Sequence, residues 1–502
     1  SAFNDEYKTM PNCEGDESVW DENCYEDASS PSELFSKLEA LNTEHIVIPH
    51  GNAWGIYTPP GQSWDNQLSK VNPSENRELL IEVMSGHGNS EEYRNFRAIV
   101  IDEEGNISCP ETSSSYEPTC RRAAKIAEKR CLLEGKEALF CKKKSNEVMQ
   151  LFAESSVNQR QQIVTDTEME EWLNAGQCTN CFLPAYNYRP KSSVQYSLAK
   201  TDFKNQNNPK NYRWGFIASS DVHSARPGTG YKEIFRLKNT DGNGPSRPEV
   251  ATALPGLSRN LDLQRFSSFL TTGGLAAVHS EGRSKKQIWE ALNNKETYGT
   301  SGDRILLWFH LLNAVQGKLP MGKEGTLEEN PVFEVSAVGA FKQKPGCPEF
   351  SINSLSPEKL EKLCGGECYN PSDERKVISR IEIIRILPQI SKDENIGNLI
   401  QDPWKVLSCP KNEDGCTVKF EDKEFKDLNR EVIYYVRAIQ ESSLAINAAN
   451  LRCEFDEQGN CIEVNPCFGD YRTSHEDECL APNEERAWSS PIFVNKLKGN
   501  NL

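Results

Sequence analysis

Two metal-compatible side chains follow a short apolar run near the middle of the 502-residue chain. The segment Trp214-Gly-Phe-Ile-Ala-Ser-Ser-Asp-Val-His223 predicts a buried strand whose last residues deliver Asp221 and His223. Alternate residues of an extended chain point to the same side, so this carboxylate and this imidazole can reach a common centre. Such pairs at the carboxyl ends of strands are typical of metal sites in α/β barrels, although a surface turn produces the same letters.

The pattern recurs in two other apolar runs. One run ends in His50, and another, beginning at Leu79, carries Glu82 inside it and is followed by His87. Each residue also has a structural interpretation, as a turn cap for His50, an ion-pair partner for Glu82 and a loop residue for His87. Together the three runs predict one metal centre assembled from separate strands.

Charge and composition restrict the classes of partner. The chain has 57 basic and 74 acidic residues, a net charge of −17, and 37% hydrophobic residues. An acidic surface disfavours unassisted binding to nucleic acid or to anionic lipids. No apolar run approaches the roughly 20 residues that span a bilayer. Because the chain begins with Ser1 and not with methionine, we expect it to be processed or to be part of a longer protein.

Seventeen cysteines indicate an oxidising compartment, which is extracellular, at the cell surface or periplasmic. Many of them lie about 7 to 12 residues apart across turn-like sequence, which predicts local disulfides. Zinc binding is the alternative for Cys178-Thr-Asn-Cys181 and Cys364-Gly-Gly-Glu-Cys368, but neither has a second pair at zinc-ribbon spacing. The total is odd, so one cysteine is free or pairs outside the chain. The predicted pairs are Cys13 with Cys24, Cys109 with Cys120, Cys131 with Cys141, Cys409 with Cys416, Cys453 with Cys461, and Cys467 with Cys479.

The order of predicted elements favours two domains. In residues 1–325, strands that alternate with helices and end in polar groups predict an α/β fold of the β/α-barrel type, with a helical insertion at about 118–175. One of these strands ends in His279. In residues 326–502 the apolar period becomes two, which predicts an all-β, sandwich-like domain stapled by disulfides.

Several motifs resemble a bacterial family known only as domain of unknown function 3604. That family is related to the polymerase-and-histidinol-phosphatase (PHP) superfamily of metal-dependent phosphoesterases, and the likeness extends from about Ser32 to Val494. The matching motifs are Ile48-Pro-His-Gly-Asn52, Glu82 with Gly88-Asn-Ser-Glu91, Ser219-Ser-Asp-Val-His223-Ser-Ala-Arg-Pro-Gly-Thr, Gly273-Gly-Leu-Ala-Ala-Val, Tyr298-Gly-Thr-Ser-Gly, Glu367-Cys-Tyr-Asn-Pro-Ser-Asp-Glu374 and Trp488-Ser-Ser-Pro491.

The resemblance implies a distorted, PHP-like β/α barrel that holds two or three metal ions. His50, Asp221 and His223 match the ligand positions best, Glu82 is a further candidate, and His87 stands where relatives more often carry lysine. The His-x-His motif that opens PHP enzymes has no counterpart here, so the barrel is expected to be incomplete at its N-terminal side. The missing strands would then belong to a preceding segment of the same protein, which would be a partner of this chain.

The resulting expectation is a secreted metal-dependent hydrolase, most simply a phosphoesterase, acting on a small-molecule or phosphate-ester substrate. Zinc, manganese and iron all suit these ligands, and the candidate catalytic residues are Arg226, Asn52 and His279. Arg226 and Asn52 would orient the substrate. The alternative is a non-catalytic surface, assembly or glycan-binding protein on a degenerate PHP-like scaffold. No nucleic acid or membrane-spanning segment is expected in either case.

Overall fold

The computed structural model describes most of the chain, in segments separated by gaps. The described residues are 13, 24, 27–28, 30–41, 43–53, 63–65, 78–86, 88–94, 98–102, 104–113, 116–155, 163–167, 169–173, 175, 189–204, 209–222, 228, 230–239, 273–446, 452–465 and 473–497.

The described helices are short, apart from two in the first third of the chain. They are α1 (Pro31–Ala40), α2 (Thr119–Leu133), α3 (Ala138–Glu154), α4 (Val194–Ala199), α5 (Arg236–Asn239), α6 (Lys285–Asn293), α7 (Glu349–Ser354), α8 (Pro357–Cys364) and α9 (Phe425–Leu428). None of them is long and apolar enough to cross a membrane.

Strands dominate the second half of the chain. The strands are β1 (Leu80–Ser85), β2 (Gly88–Asn89), β3 (Val100–Ile101), β4 (Ile107–Ser108), β5 (Thr201–Asp202), β6 (Lys210–Asn211), β7 (Gly215–Ala218), β8 (Leu275–Val278), β9 (Thr297–Thr300), β10 (Leu306–Ala314), β11 (Gly317–Pro320), β12 (Glu324–Leu327), β13 (Val332–Val338), β14 (Phe341–Gln343), β15 (Pro371–Arg375), β16 (Ile378–Ile386), β17 (Ile400–Ser408), β18 (Cys416–Glu421), β19 (Val432–Ile446), β20 (Glu454–Phe455), β21 (Cys461–Glu463), β22 (Leu480–Ser489) and β23 (Ile492–Lys496).

Two smaller sheets pack on opposite faces of the largest one. That sheet has eight strands in the order β12-β23-β19-β22-β9-β8, with β16 paired to β19 and β17 to β16. A four-stranded sheet, β11-β10-β13-β18, covers one of its faces, and the three-stranded sheet β2-β1-β7 covers the other. Since β8 and β9 lie before residue 325 and the other strands near or after it, the largest sheet draws on both predicted domains; their boundary stays a prediction.

Strand β19 lies at the centre and is buried on both faces. Its consecutive residues Tyr434 and Tyr435 are both fully buried, and they enter two different hydrophobic cores. Tyr434 packs against Phe333 of the four-stranded sheet, with ring centroids 4.7 Å apart. Tyr435 packs against Phe216 of β7 at 5.1 Å. Because alternate side chains of a strand point to opposite faces, the run Val432-Ile-Tyr-Tyr-Val-Arg-Ala is apolar almost throughout.

The predicted β/α barrel is wrong. Within the described segments no sheet closes on itself, and only β1 with β7 and β12 with β23 are parallel pairs. A β/α barrel requires consecutive parallel strands joined by helices. The apolar runs at β1 and β7 were correctly recognised as buried strands, but burial on both faces also occurs at the centre of an antiparallel stack, as in β19.

Disulfides close local loops, as the spacing of the cysteines predicts. Five of the six predicted bridges are confirmed: Cys13–Cys24, Cys109–Cys120, Cys131–Cys141, Cys409–Cys416 and Cys453–Cys461. Cys479 is also disulfide-bonded, while its predicted partner Cys467 lies outside the described residues. A bridge between Cys347 and Cys368 was not predicted.

Candidate functional site

The candidate site lies at the carboxyl ends of the parallel strands β1 and β7. Glu82 of β1 is paired with Ile217 of β7, and the register shifts directly after this pair. Beyond the strands, the N–H of Gly86 donates a hydrogen bond to the carbonyl of Ser220 at 3.2 Å. Parallel strands bring their carboxyl ends to one edge, where α/β sheets commonly bind ligands. This edge therefore collects the residues that follow both strands.

Glu82 is a buried carboxylate that accepts hydrogen bonds from Ser85 of its own strand and from two residues outside it. The Ser219 hydroxyl donates to its Oε2 at 2.5 Å, and the N–H of Gly51 donates to its Oε1 at 3.4 Å. The backbone N–H of Glu82 also donates to the carbonyl of Pro49 at 3.1 Å. Residues 43–50 form no regular strand, contrary to the prediction of a strand ending at His50. The loop nevertheless crosses the site beside β1.

Electrostatics join Glu82 to two other predicted ligands. Burial raises the pKa of Glu82, the hydrogen bond from Ser219 and the charge of His50 lower it, and the charge of Asp221 raises it; the net direction is upward. Hydrogen bonds support this closeness: Pro49 and Gly51, on either side of His50, both bond Glu82, and Ser219, two residues before Asp221, donates to its carboxylate. The structure therefore brings His50, Glu82 and Asp221 into one neighbourhood, although they lie far apart in the sequence.

Glycines allow other strands to approach the end of β7 closely. A Cβ atom on Gly274 would lie 2.5 Å from the Cβ of Ala218, and one on Gly273 would lie 2.5 Å from the Cα of Ser220. A Cβ atom on Gly299 would lie 2.9 Å from the Cβ of Ala218. Any side chain at these positions would collide with the end of β7, which explains the glycine motifs at the start of β8 and in β9. They hold in place the backbone that presents the residues after β7.

Asp221 itself has a left-handed backbone conformation, with φ of 55°. Aspartate tolerates this region better than most residues, and such conformations concentrate at functional sites. The chain therefore changes direction at Asp221, directly after Ser219 and Ser220 at the end of β7. An Asp at this position is thus consistent with both a structural turn and a ligand role.

A second acidic pair joins Asp303, in the turn after β9, to Glu485 of β22. Glu485 accepts hydrogen bonds from the Ser301 hydroxyl and the Asn483 amide, and Asp303 accepts one from the Lys376 ammonium at 2.6 Å. Burial, followed by the charge of Asp303, raises the pKa of Glu485 to about 7. The motif Tyr298-Gly-Thr-Ser-Gly marked the turn after β9 in the sequence. No feature of the sequence indicated that Glu485 would lie beside this turn.

The side chains at the site are of the types that bind divalent metals, but the described residues do not by themselves form a complete set of metal ligands. His, Glu and Asp are common ligands of zinc, manganese and iron. Among described side chains, only Cys347, Cys364 and Cys368 place three potential ligand atoms all within 4.8 Å of one another. The predicted residues His87, His223 and Arg226 lie outside the described residues.

The two other predicted catalytic residues occupy different places. Asn52 directly follows Gly51, whose N–H contacts Glu82, so it lies beside the site. His279 follows the far end of β8 from Gly274, about 16 Å away along an extended strand. There its Nε2 lies 2.9 Å from the carbonyl of Leu307 and burial lowers its pKa. Among the described candidates, the structure therefore does not bring His279 to His50, Glu82 or Asp221.

Glu91, part of the Gly88-Asn-Ser-Glu91 motif, anchors the small sheet to the largest one. Its fully buried carboxylate accepts hydrogen bonds from the Tyr435 hydroxyl, the Arg437 guanidinium and the Trp488 indole. Arg437 also donates to Asp402 at 2.7 Å. Burial raises the pKa of Glu91, and the charge of Arg437 opposes that shift. The motif thus has a structural explanation.

The cysteine cluster is formed by α8 and the loops beside it, and it includes none of the predicted metal ligands. Cys347 and Cys368 form a disulfide, and Cys364, at the end of α8, is the free cysteine of the described residues. The Sγ atoms of Cys364 and Cys368 are 3.5 Å apart, and the Cys364 thiol also donates to the carbonyl of Leu360. Three thiols at these distances would suit zinc, but the disulfide occupies two of the sulfurs.

Comparison with known proteins gives one match. No curated protein and no solved structure matches the chain. The residues matched by a family model include strand β7, the glycines that pack on it, and the turn after β9. Residues 184–318 match the family described as protein of unknown function (DUF3604).

Proposed function

We propose that this chain is a metal-dependent hydrolase, acting on phosphate esters, whose site is the edge formed by β1 and β7. The observation that supports the proposal is that His50 and Asp221 lie near Glu82, a buried carboxylate whose pKa is raised. A buried carboxylate beside a second one is electrostatically unfavourable unless it is protonated or meets a cation. Perturbed carboxylates of this kind concentrate at functional sites.

In this proposal His50, Glu82, Asp221 and the predicted His223 and His87 would hold two or three divalent cations. Bound cations of this type supply hydroxide from water near neutral pH and neutralise phosphoryl oxygens. Glu82 is oriented by the Ser219 hydroxyl and the Gly51 N–H, so its position is set before any ligand binds. Asn52, on the same loop as His50, would orient the substrate together with Arg226.

The disulfides support an exported protein. Six bridges join described cysteines, and such bridges persist in oxidising compartments. We therefore propose an extracellular, cell-surface or periplasmic location. The relation to the PHP superfamily is part of this proposal, because the matched family is described only as a protein of unknown function.

Metal analysis combined with a hydrolysis assay tests the proposal. The purified protein is loaded with Zn²⁺, Mn²⁺ or Fe²⁺, dialysed and assayed on p-nitrophenyl phosphate and bis-p-nitrophenyl phosphate. We expect retained metal and hydrolysis of at least one ester in wild type, with both lost in Asp221→Asn. The matched control is Asp102→Asn, which makes the same change in an exposed turn. Metal-free wild-type protein without activity would refute the proposal.

A second candidate is a non-catalytic surface or assembly protein. One observation favours it: within the described ranges, the acidic site lacks three potential ligand atoms at mutual metal-binding distances. Glu82 would then be a structural carboxylate that links β1 to β7 and to the His50 loop. Under this alternative, Asp221→Asn and Asp102→Asn would behave alike in the metal and ester assays.

A further inference from the structure

The tip of the helical hairpin formed by α2 and α3 exposes an unusual number of large apolar side chains. Every residue from 132 to 140 is exposed. Leu133 is 77% exposed and Leu139 82%, with Phe140 at 56% and Leu132 at 46%. The Cys131–Cys141 disulfide ties the two helices together directly behind these residues. We call residues 129–144 the hairpin tip.

The tip projects away from the protein body. The hairpin packs through its other end, where Ile126 and Phe152 lie in a core with Trp172. At a rise of about 1.5 Å per residue, Leu133 lies about 10 Å beyond Ile126 along α2. The four apolar residues therefore do not contribute to that core, although leaving them in water is unfavourable.

Charge at the tip has the opposite sign to the whole chain. Five exposed lysines lie in the tip against two exposed glutamates, Glu134 and Glu137, while the chain carries −17. Two of these lysines also pair with glutamates just outside the tip, Lys142 with Glu128 at 3.6 Å and Lys143 with Glu147 at 4.0 Å. With Arg130 included, the tip keeps an excess of positive charge. The exposed lysines are Lys129, Lys136, Lys142, Lys143 and Lys144.

A shallow groove adds room for an apolar ligand beside the tip. It has a volume of about 460 Å³ and runs along α2, lined by Lys125, Glu128, Lys129, Leu132 and Leu133. Leucine and phenylalanine next to a ring of lysines are the composition of segments that insert at a membrane interface. Lysines are attracted to anionic headgroups, while the apolar side chains enter the acyl boundary.

We propose that the hairpin tip docks this protein on the surface of an anionic phospholipid bilayer. Leu132, Leu133, Leu139 and Phe140 enter the interface, and the lysines contact the lipid phosphates. The disulfide keeps the apolar residues at one end, so docking requires no refolding of the hairpin. The inference is independent of the proposed hydrolase function, since it uses no residue of the acidic site.

Vesicle co-sedimentation tests this inference. The full chain is mixed with vesicles of phosphatidylcholine alone, or of phosphatidylcholine with roughly 30% phosphatidylglycerol, a proportion that makes the surface anionic. We expect binding to the anionic vesicles, weakened about tenfold or more by Leu133→Asp with Leu139→Asp, by Lys142→Glu with Lys143→Glu and Lys144→Glu, and by high salt. Circular dichroism verifies that each variant is folded.

The matched control is Phe350→Asp with Ile352→Asp, which alters two exposed apolar residues on α7 instead. It should bind as wild type does. Wild-type protein that stays in the supernatant with anionic vesicles would overturn the inference, as would equal binding by the leucine variant. A wild-type dimer that Leu133→Asp with Leu139→Asp converts to a monomer, measured by light scattering, would assign the tip to self-association and also overturn it.

Discussion

Ser219 and Glu82 are joined across two parallel strands by a hydrogen bond of 2.5 Å from the serine hydroxyl to the carboxylate. The two residues are 137 positions apart in the chain. Their contact closes the edge of the small sheet at the point where the His50 loop also crosses it. Strand β1 has no charged residue at its carboxyl end. It contributes to the acidic site through Glu82, which lies within the strand and is held at the edge by this hydrogen bond.

Glu82→Gln should separate stability from function. The amide oxygen can still accept from Ser219 or Gly51, while the buried charge is lost. Because the folded pKa of Glu82 is raised, the charged form destabilises the folded protein as pH rises above the ordinary carboxylate range. We expect equal or higher stability in urea at pH 8, together with a loss of about 100-fold or more in metal-dependent ester hydrolysis. Strong destabilisation with unchanged hydrolysis would contradict the assignment of Glu82 to the site.

Gly274→Ala should destabilise the protein through backbone crowding. The added Cβ would lie 2.5 Å from both the Cβ of Ala218 and the carbonyl oxygen of Thr300, which real Cβ contacts avoid. We expect a loss of about 1–3 kcal/mol in the free energy of unfolding, measured by urea denaturation. Gly397→Ala is the control, since its nearest atom is 3.2 Å away. Equal effects of the two substitutions would show that the approach of β8 to β7 is looser than the structure indicates.

Glu91→Ala should be among the most destabilising single changes in the chain. It leaves Arg437, Tyr435 and Trp488 without a buried acceptor that all three share. Removing one partner of a buried ion pair costs about 3–5 kcal/mol. Urea denaturation measures the loss, with Glu147→Ala as the control because the Glu147–Lys143 pair is exposed. A change below about 1 kcal/mol, the range of surface pairs, would refute the anchoring role of Glu91.

Glu485→Gln should alter how stability depends on pH. The folded pKa of Glu485 is about 7 and the ordinary value is 4.5. The folded protein therefore holds its proton more tightly than the unfolded chain, so wild-type stability falls as pH rises from about 4.5 to 7. The loss amounts to about 3 kcal/mol at most. The Gln variant should lack this slope and be more stable than wild type at pH 8; parallel stability curves from pH 4 to 8 would contradict the shift.

Cys364 should be the thiol that reacts in the native protein. Titration with a disulfide reagent should consume one thiol more in wild type than in Cys364→Ser. The reaction should be slow, because the side chain is only partly exposed and its thiol donates to the Leu360 carbonyl. Peptide mapping without reduction should recover the Cys347–Cys368 bridge in both proteins. Cleavage of that bridge in unreduced wild type would show that Cys364 exchanges with its neighbour, 3.5 Å away.

Local features of the fold could be predicted because their causes lie close in sequence. Cys409 and Cys416 are seven residues apart across a turn, so their bridge needs little more than loop closure. Buried strands such as β7 were visible as apolar runs. The candidate residues His50, Glu82 and Asp221 were chosen from side-chain chemistry at the ends of such runs, and the structure brings these three together.

The amino-acid sequence thus determined where most of the buried strands form and which neighbouring cysteines bridge, and it predicted which residues would hold a metal. Only the tertiary structure decided which strands pair, and so replaced the expected barrel by stacked, mainly antiparallel sheets. An apolar run indicates that a strand is buried, but it does not indicate which strands or sheets cover it. That depends on contacts between distant residues, such as the one between Glu91 and Arg437, 346 residues apart. The raised pKa of Glu485 likewise arises from burial and from Asp303, which are brought about only by folding. The position of His279 beside Leu307, away from the acidic site, is also set by the tertiary structure.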